Sequence, residues 1–369
     1  MAKNPIYKAD LVGIQESVVD EMLLLNPHDT PLISLLGFGQ PITNVKHEWI
    51  EDAMLPDETA INNGEGYLAT DTSLVVDDAS IFAANDVIKI GEELLLVTAV
   101  DAGTNTLTVV RGYAGTTAAA IADDAKVQFM FVEGTEGADA RTARKSSRVR
   151  VDNITQIIDE TIEVSGTALS MSLYGTNGQD PYEYERAKKL MVVAHQLEKA
   201  LINGIKYENG QVRQMNGVRK FVNTNVSNLQ GATLKLDDIN QLAQDIYEAG
   251  GFKGGSQHII MVPAKQKVVI SNLQADKLRL TQQETFRGQV VDTIVTDFGK
   301  FPVILNNNLD PNELFMIDLN RIQIRPLAGR EFFHEYLGKK GDYVTGQIVG
   351  EYTLEFKQEK AHGRIKNLA

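Results

Sequence analysis

The residues best suited to chemistry are the six histidines: His28, His47, His195, His258, His334 and His362. None falls in HExxH or another compact ligand spacing. His195 stands three positions before Glu198 on a helical stretch, which is half of a metal site. A metal needs three or more converging ligands, so His195 reads as structural or solvated. GGFKGGS at 250–256 has the composition of a phosphate loop, but it follows a helix and no GK[ST] opens a helix after it. It reads as a helix exit and a turn. No GxSxG elbow anchors a hydrolase triad. Glu51 and Asp52 are adjacent, so on a strand they face opposite ways and cannot share a proton. They read as solvent or intersubunit contacts. Arg141, Arg144, Lys145, Arg148 and Arg150 form the one patch that fits nucleic acid. An acidic stretch upstream makes a subunit contact the simpler use. No catalytic, cofactor or metal site is expected.

Composition narrows the classes further. The chain has 369 residues, a formal net charge of -13 and no cysteine. Its length suits two or three domains. The negative balance argues against wrapping nucleic acid, which needs an excess of Lys and Arg against phosphate. It does not oppose enclosing nucleic acid without gripping it. Without cysteine there are no disulfides, thiolate ligands or thiol nucleophiles. No apolar run is long enough to cross a bilayer. MAKNPIYKADLVG lacks the features of a secretory signal, so a cytoplasmic protein is expected.

The elements that would position these residues are legible from spacing. Ile14, Val18, Met22 and Leu25 predict an amphipathic helix, stopped by Asn26-Pro27. DTPLISLLG at 29–37 predicts a short helix, with Thr30 capping, Pro31 first, Gly37 last, and Leu32, Leu35 and Leu36 buried. Such a segment is too short to stand alone and needs a surface from its own domain or a neighbouring subunit. VKHEWI at 45–50 reads as extended and leads into the acidic EDAMLPDET. The basic stretch at 141–150 lies beyond residue 131. Opposite charges on facing strands favour pairing, so the two arms read as one long hairpin. Between them, 67–131 predicts a small all-β module, with strands at 74–76, 87–90, 94–100, 106–110 and 127–131 and a hairpin loop at 101–105.

Downstream, 161–164 is strand-like. Asp180, Pro181 and Glu183 then predict a capped helix that runs to Gly204. Its apolar stripe is Leu190, Val193, Leu197 and Leu201, and Glu185 and Lys189 are spaced to pair. At about 30 Å it suits a structural spine. From Leu234 the pattern turns α/β: a helix opening at Asp237 or Asp238 and ending at Gly250-Gly251, a buried strand HIIMV at 258–262, a helix after Pro263, and strands around Phe298-Gly299. Residues 343–365 alternate as a β pair.

DTPLISLLG (29–37), RVDNITQIIDETIEVSGTA (150–168), VVDTIVTDFGKFPVI (290–304), FMIDLNRIQIRPL (315–327) and GEYTLEFKQEKAHGRI (350–365) together resemble phage major head proteins with the Hong Kong 97-type capsid fold. These segments are spread over most of the chain outside 67–131. The resemblance implies an α+β fold with an N-terminal arm at 1–44, an extended E-loop at 45–66 and 132–165, and a peripheral domain at 166–233 and 319–369 carrying the spine helix. It implies an axial domain at 234–318, with the small all-β domain of 67–131 inserted. It implies a structural major capsid protein that self-assembles into pentamers and hexamers around double-stranded DNA, without sequence-specific binding. Its partners would be itself, portal and scaffold proteins, and decoration proteins. It would be assembled in the host cytoplasm and reside in the virion, with no membrane involved. Leu32, Leu35 and Trp49 are then the apolar candidates for intersubunit contact, and Glu51, Asp52, Arg144 and Arg148 the charged ones. The rival reading is a phage tail or baseplate protein that binds a host surface through the β module.

Overall fold

The computed structural model describes residues 29–134, 136–137, 148–171, 180–253, 256–277, 284–286, 289–339 and 341–369. The predicted helix over 14–25 and most of the basic stretch, Arg144 included, lie outside the described residues. Backbone proximity divides the chain into two units: Ile50–Arg150, and Val151–Ala369 together with the described residues up to Trp49.

Helix α1 (Pro31–Leu36) opens on proline and closes at Gly37, whose amide donates to the Ile33 carbonyl at 2.8 Å. The predicted Thr30 cap does not form, because the first-turn amides are taken by a tertiary partner described below. Strand β1 (Lys46–Glu51) pairs with β8 (Val149–Ile154) as a two-stranded ribbon.

The Ile50–Arg150 unit holds β2 (Glu58–Ala60), β3 (Ser73–Val75), β4 (Asp86–Ile90), β5 (Glu93–Asp101), β6 (Thr106–Val110) and β7 (Lys126–Val132) in one antiparallel sheet of order β2-β7-β4-β5-β6-β3. The five predicted strands of the module are all present. Period-two burial places Leu95, Val97, Leu107 and Val109 inside, packed with Leu74, Ile88 and Val127. Buried Glu93 takes a two-pronged grip from Arg111, at 2.8 Å to each carboxylate oxygen, and accepts the Gly112 and Ala119 amides. The carboxylate is therefore fully satisfied, as a buried charge must be.

The other unit continues with β9 (Gln156–Ser165), α2 (Gly166–Ser170) and the spine helix α3 (Pro181–Asn203). The Asp180 carboxylate accepts the Tyr182 amide at 2.9 Å, while Glu183, predicted to complete a capping box, pairs with Arg186. The buried face of α3 is Tyr182, Val193, Leu197, Glu198, Leu201 and Ile202. Leu190, predicted in the stripe, is half exposed at its border. The predicted Glu185–Lys189 pair is replaced: Lys189 reaches Glu160 of β9 at 2.8 Å, and Glu185 pairs with Lys188. A partner on a packed strand outcompetes a solvated one on the same helix.

Next come β10 (Tyr207–Asn209), β11 (Val212–Gln214), α4 (Val218–Phe221), β12 (Val226–Asn228), α5 (Leu236–Glu248), β13 (His258–Val262), α6 (Ala264–Lys277), β14 (Glu284–Phe286), β15 (Gln289–Thr296), β16 (Gly299–Leu305) and β17 (Leu314–Asp318). The chain ends with β18 (Ile322–Pro326), β19 (Phe333–Lys339), β20 (Tyr343–Phe356) and β21 (Gly363–Lys366). A mixed seven-stranded sheet runs β12-β21-β17-β13-β16-β15-β14. Its central strands divide two cores. Ile259, Met261, Phe315 and Ile317 face the core that includes α1 and α3, whereas Ile260, Val262, Leu314 and Met316 face the core that includes Leu242 and Ile246 of α5. Burial on both faces explains why HIIMV is apolar without alternation.

The predicted β pair over 343–365 is corrected. Tyr343–Phe356 is one 14-residue strand, and β21 leaves it to join β17 and β12 in the larger sheet. β20 pairs with β9 along ten residues, and with β19 and then β18 in turn along its other edge.

Candidate functional site

Three sequence-predicted apolar contacts belong to the subunit's own core. Leu32 and Leu35 are 0% and 4% exposed and pack in the core that includes Leu197 and Leu201 of the spine helix. Trp49 packs in the same core, with its ring 6.1 Å from Phe221 and 5.8 Å from His47. Their apolar surface is largely buried within the chain.

The anchor of α1 is Glu198. This wholly buried residue accepts the Leu32 and Ile33 amides, each at 2.9 Å, and the Asn306 side-chain amide at 2.8 Å. The carboxylate thus meets two of the orphan donors that a helix N-terminus exposes. Burial pushes its pKa up, opposed by the Leu32, Ile33 and Asn306 hydrogen bonds. Asn308 adds a bond to the Asp29 carbonyl at 2.9 Å. Sequence reasoning weighed Glu198 only as half of a metal site with His195. Among the described residues, no group of three or more His, Cys, Asp or Glu is placed to hold a metal.

The charged candidates behave differently. Asp52 and Arg148 form an ion pair at 3.3 Å, with both side chains at least half exposed. Glu51 lies at the end of β1 and is partly buried. Beside them stand two exposed apolar residues that sequence reasoning missed, Ile50 at 67% and Met54 at 93% exposure. The signal was available for Ile50: on a strand it must face away from its neighbour Trp49.

The base of the ribbon is held by buried carboxylates on β20. Glu351 accepts from Thr155 at 2.5 Å and Arg213 at 2.8 Å, and pairs with Arg330 at 2.9 Å. Glu355 meets His47 at 3.1 Å, Arg325 at 2.6 Å and Lys357 at 2.5 Å. Burial works against ionisation of Glu355, yet hydrogen bonds from His47, Lys357 and Arg325 hold its carboxyl well below the usual carboxylate range. Each carboxylate is saturated by donors. The arrangement fixes geometry.

An extended ribbon, a long spine helix clasping an N-terminal segment, and two sheets sharing one core define a chain of the Hong Kong 97-type fold. The capsid of cyanophage A-1(L) contains a chain with TM-score 0.56 and 9% identity, over 96% of this chain and 97% of that one. A chain from Mycobacterium phage Adephagia gives 0.53 and 10% identity, over 99% of each. The capsid of a native GTA particle gives 0.51 and 10%, over 97% and 96%. At such identities the likeness is one of fold. The chain belongs to the SU10 major capsid protein family, which it matches over residues 5–369. It is therefore a structural protein of the phage head, in a family that is not an enzyme class. No curated protein matches it.

Proposed function

We propose that copies of this chain form pentamers and hexamers that close into an icosahedral head around double-stranded phage DNA, without reading its sequence. The observation that carries this reading is the family match over residues 5–369. The net charge of -13 supports enclosure without a general grip on phosphate. The arm at 1–44, the E-loop at 45–66 and 132–165, the peripheral segments 166–233 and 319–369, the axial segment 234–318 and the inserted β segment 67–131 are the parts this reading assigns. The contact surface it favours is the exposed one at the end of the ribbon: Ile50 and Met54 as apolar contacts, with Asp52 and Arg148 as charged ones beside Glu51. Arg144, outside the described residues, is a further charged candidate. Charge placed there sets register between subunits more than it adds affinity. Portal, scaffold and decoration proteins are the further partners, and the host cytoplasm is the site of assembly.

Electron microscopy of the purified chain, expressed alone and with any scaffold encoded nearby, tests this. Closed uniform shells, or five- and six-fold capsomers, are expected. Rings or fibres in both preparations, with host-surface binding carried by 67–131, would instead make it a tail or baseplate protein.

A further inference from the structure

The Val151–Ala369 unit contains a pocket of about 430 Å3 that the head architecture leaves unexplained. Arg219, Lys220, Arg364 and Lys366 line it, with the side chains of Asn203 and Asn223 beside them. These cations come from α4 and β21, which are distant in sequence and brought together by folding. Among the described residues, the only carboxylate ion-paired with them is Glu313, which is 4% exposed. It holds Arg219 at 2.6 Å and Arg364 at 2.7 Å, one guanidinium on each oxygen. Arg364 also lies over the Phe315 ring, 5.5 Å from its centroid. Both guanidinium groups are thus fixed before any ligand arrives, and their Nε atoms are buried without a hydrogen-bond partner. Lys220 and Lys366 have no ion-pair partner among the described residues. Nearby Glu359 is already engaged by the Asn223 and Thr224 amides and the Thr224 hydroxyl.

Four cations against buried Glu313 and the nearby Glu359 leave an excess of two positive charges in a small volume, within a chain that is acidic as a whole. A single carboxylate would neutralise one charge. A phosphate group carries more charge and several acceptor oxygens, and it matches the planar fork of arginine. We propose that this pocket is a binding site for a phosphate group. Two sources share that chemistry: free phosphate or pyrophosphate, and the phosphodiester backbone of DNA. The second source rests on the reading that the head encloses DNA.

The test uses the full-length chain, with calorimetry against inorganic pyrophosphate and fluorescence anisotropy against a short labelled duplex. Lys220→Gln with Lys366→Gln removes the two lysines that no other group needs. Lys89→Gln with Lys199→Gln is the control of equal charge change. The pocket variant should bind pyrophosphate about tenfold more weakly than wild type, as removal of charge-assisted hydrogen bonds predicts, and the control should not. Lys220→Arg with Lys366→Arg should restore binding. If the backbone is the ligand, the slope of log affinity for duplex against log salt falls by about 0.9, for the one phosphate no longer neutralised. Weaker pyrophosphate binding with an unchanged duplex slope supports the site and assigns it to free phosphate. A pocket variant that matches the control with both probes would overturn the proposal. So would polyglutamate displacing a bound probe at lower concentration than pyrophosphate, which would make the site one for acidic peptide. Micrographs of the same preparations keep the two readings apart: shells from the pocket variant leave the head function standing whatever the pocket binds, and absence of shells from wild type counts against the head function alone.

Discussion

Glu198 shows how one buried carboxylate organises a whole segment. It stands 166 positions from Leu32, yet it replaces the cap that α1 lacks locally. Removing it leaves the Leu32 and Ile33 amides without an acceptor and Asn306 with only the Met261 sulfur. Glu198→Ala should therefore cost about 2–6 kcal/mol, at about 1–3 kcal/mol for each of the two amides left unsatisfied. Urea unfolding checks the magnitude, and hydrogen exchange at Leu32 and Ile33 should accelerate selectively; unchanged protection there would refute the clasp. A second buried residue, His362, sets a pH limit. Its Nδ1 accepts the Asp318 amide at 3.1 Å and its Nε2–H donates to the Lys357 carbonyl at 3.2 Å. Burial holds the ring neutral and pushes its pKa from 6.5 down to about 3. Between those values the unfolded chain binds a proton that the folded chain refuses. Stability is then full above pH 6.5 and falls as pH drops toward 3, by about 1.4 kcal/mol per pH unit for one site. Burial also lowers the His258 pKa, so its effect has the same sign. Urea unfolding at pH 7 and pH 5 should show this slope, and His362→Gln, which can still accept and donate, should flatten it.

Among elements, β20 carries the most constraint. It shares partners along both edges, and its glycines admit side chains from elsewhere. A Cβ at Gly346 would lie 1.8 Å from the Tyr182 hydroxyl, at the start of the spine helix, where that hydroxyl meets His334 Nε2 at 2.8 Å. Gly346→Ala should thus force the Tyr182 ring aside and break its contact with His334. Overpacking of this kind costs about 1–3 kcal/mol, more than the ~0.4–1 kcal/mol gained by stiffening the unfolded chain. A lower thermal midpoint that Tyr182→Phe partly restores is the expected outcome. An unchanged midpoint for Gly346→Ala would mean the helix does not depend on that close approach. The half-exposed Leu190 follows from the same packing: the helix face is chosen by β9 and β20, and the border of the apolar stripe faces outward.

At the scale of the molecule, the segment Ile50–Arg150 has the marks of an independent folding unit. Its six strands close on a core of their own, including Leu74, Ile88, Leu95, Leu107 and Val127. A core of this kind is what allows a domain to fold alone. Residues 50–150 expressed separately should give a cooperative thermal transition by circular dichroism at the strand signal. A non-cooperative loss of signal would show that the segment depends on the rest of the chain. The exposed Ile50 and Met54 lie at the start of this segment, so solubility of the isolated unit also reports on that apolar surface.

Much of the architecture was legible before any coordinate. Period-two alternation placed the module's strands, and the Asp180-Pro181 start placed the spine helix. Such signals are local, because backbone geometry imposes a fixed side-chain period on each element. The same period says which face of an element is apolar and is silent on what covers it. Leu32, Leu35 and Trp49 were correctly read as needing a surface, and the tertiary structure decided that the surface is their own subunit. Glu313, Glu351 and Glu355 looked like ordinary charges in the chain, and Glu198 like half of a metal site. Their burial, and the arginines, histidine and amides that make it tolerable, come from elements far apart in sequence. The division of 343–365 between two sheets was hidden for the same reason. Strand pairing is a contact between distant backbones, and no residue in either strand records the partner it will meet.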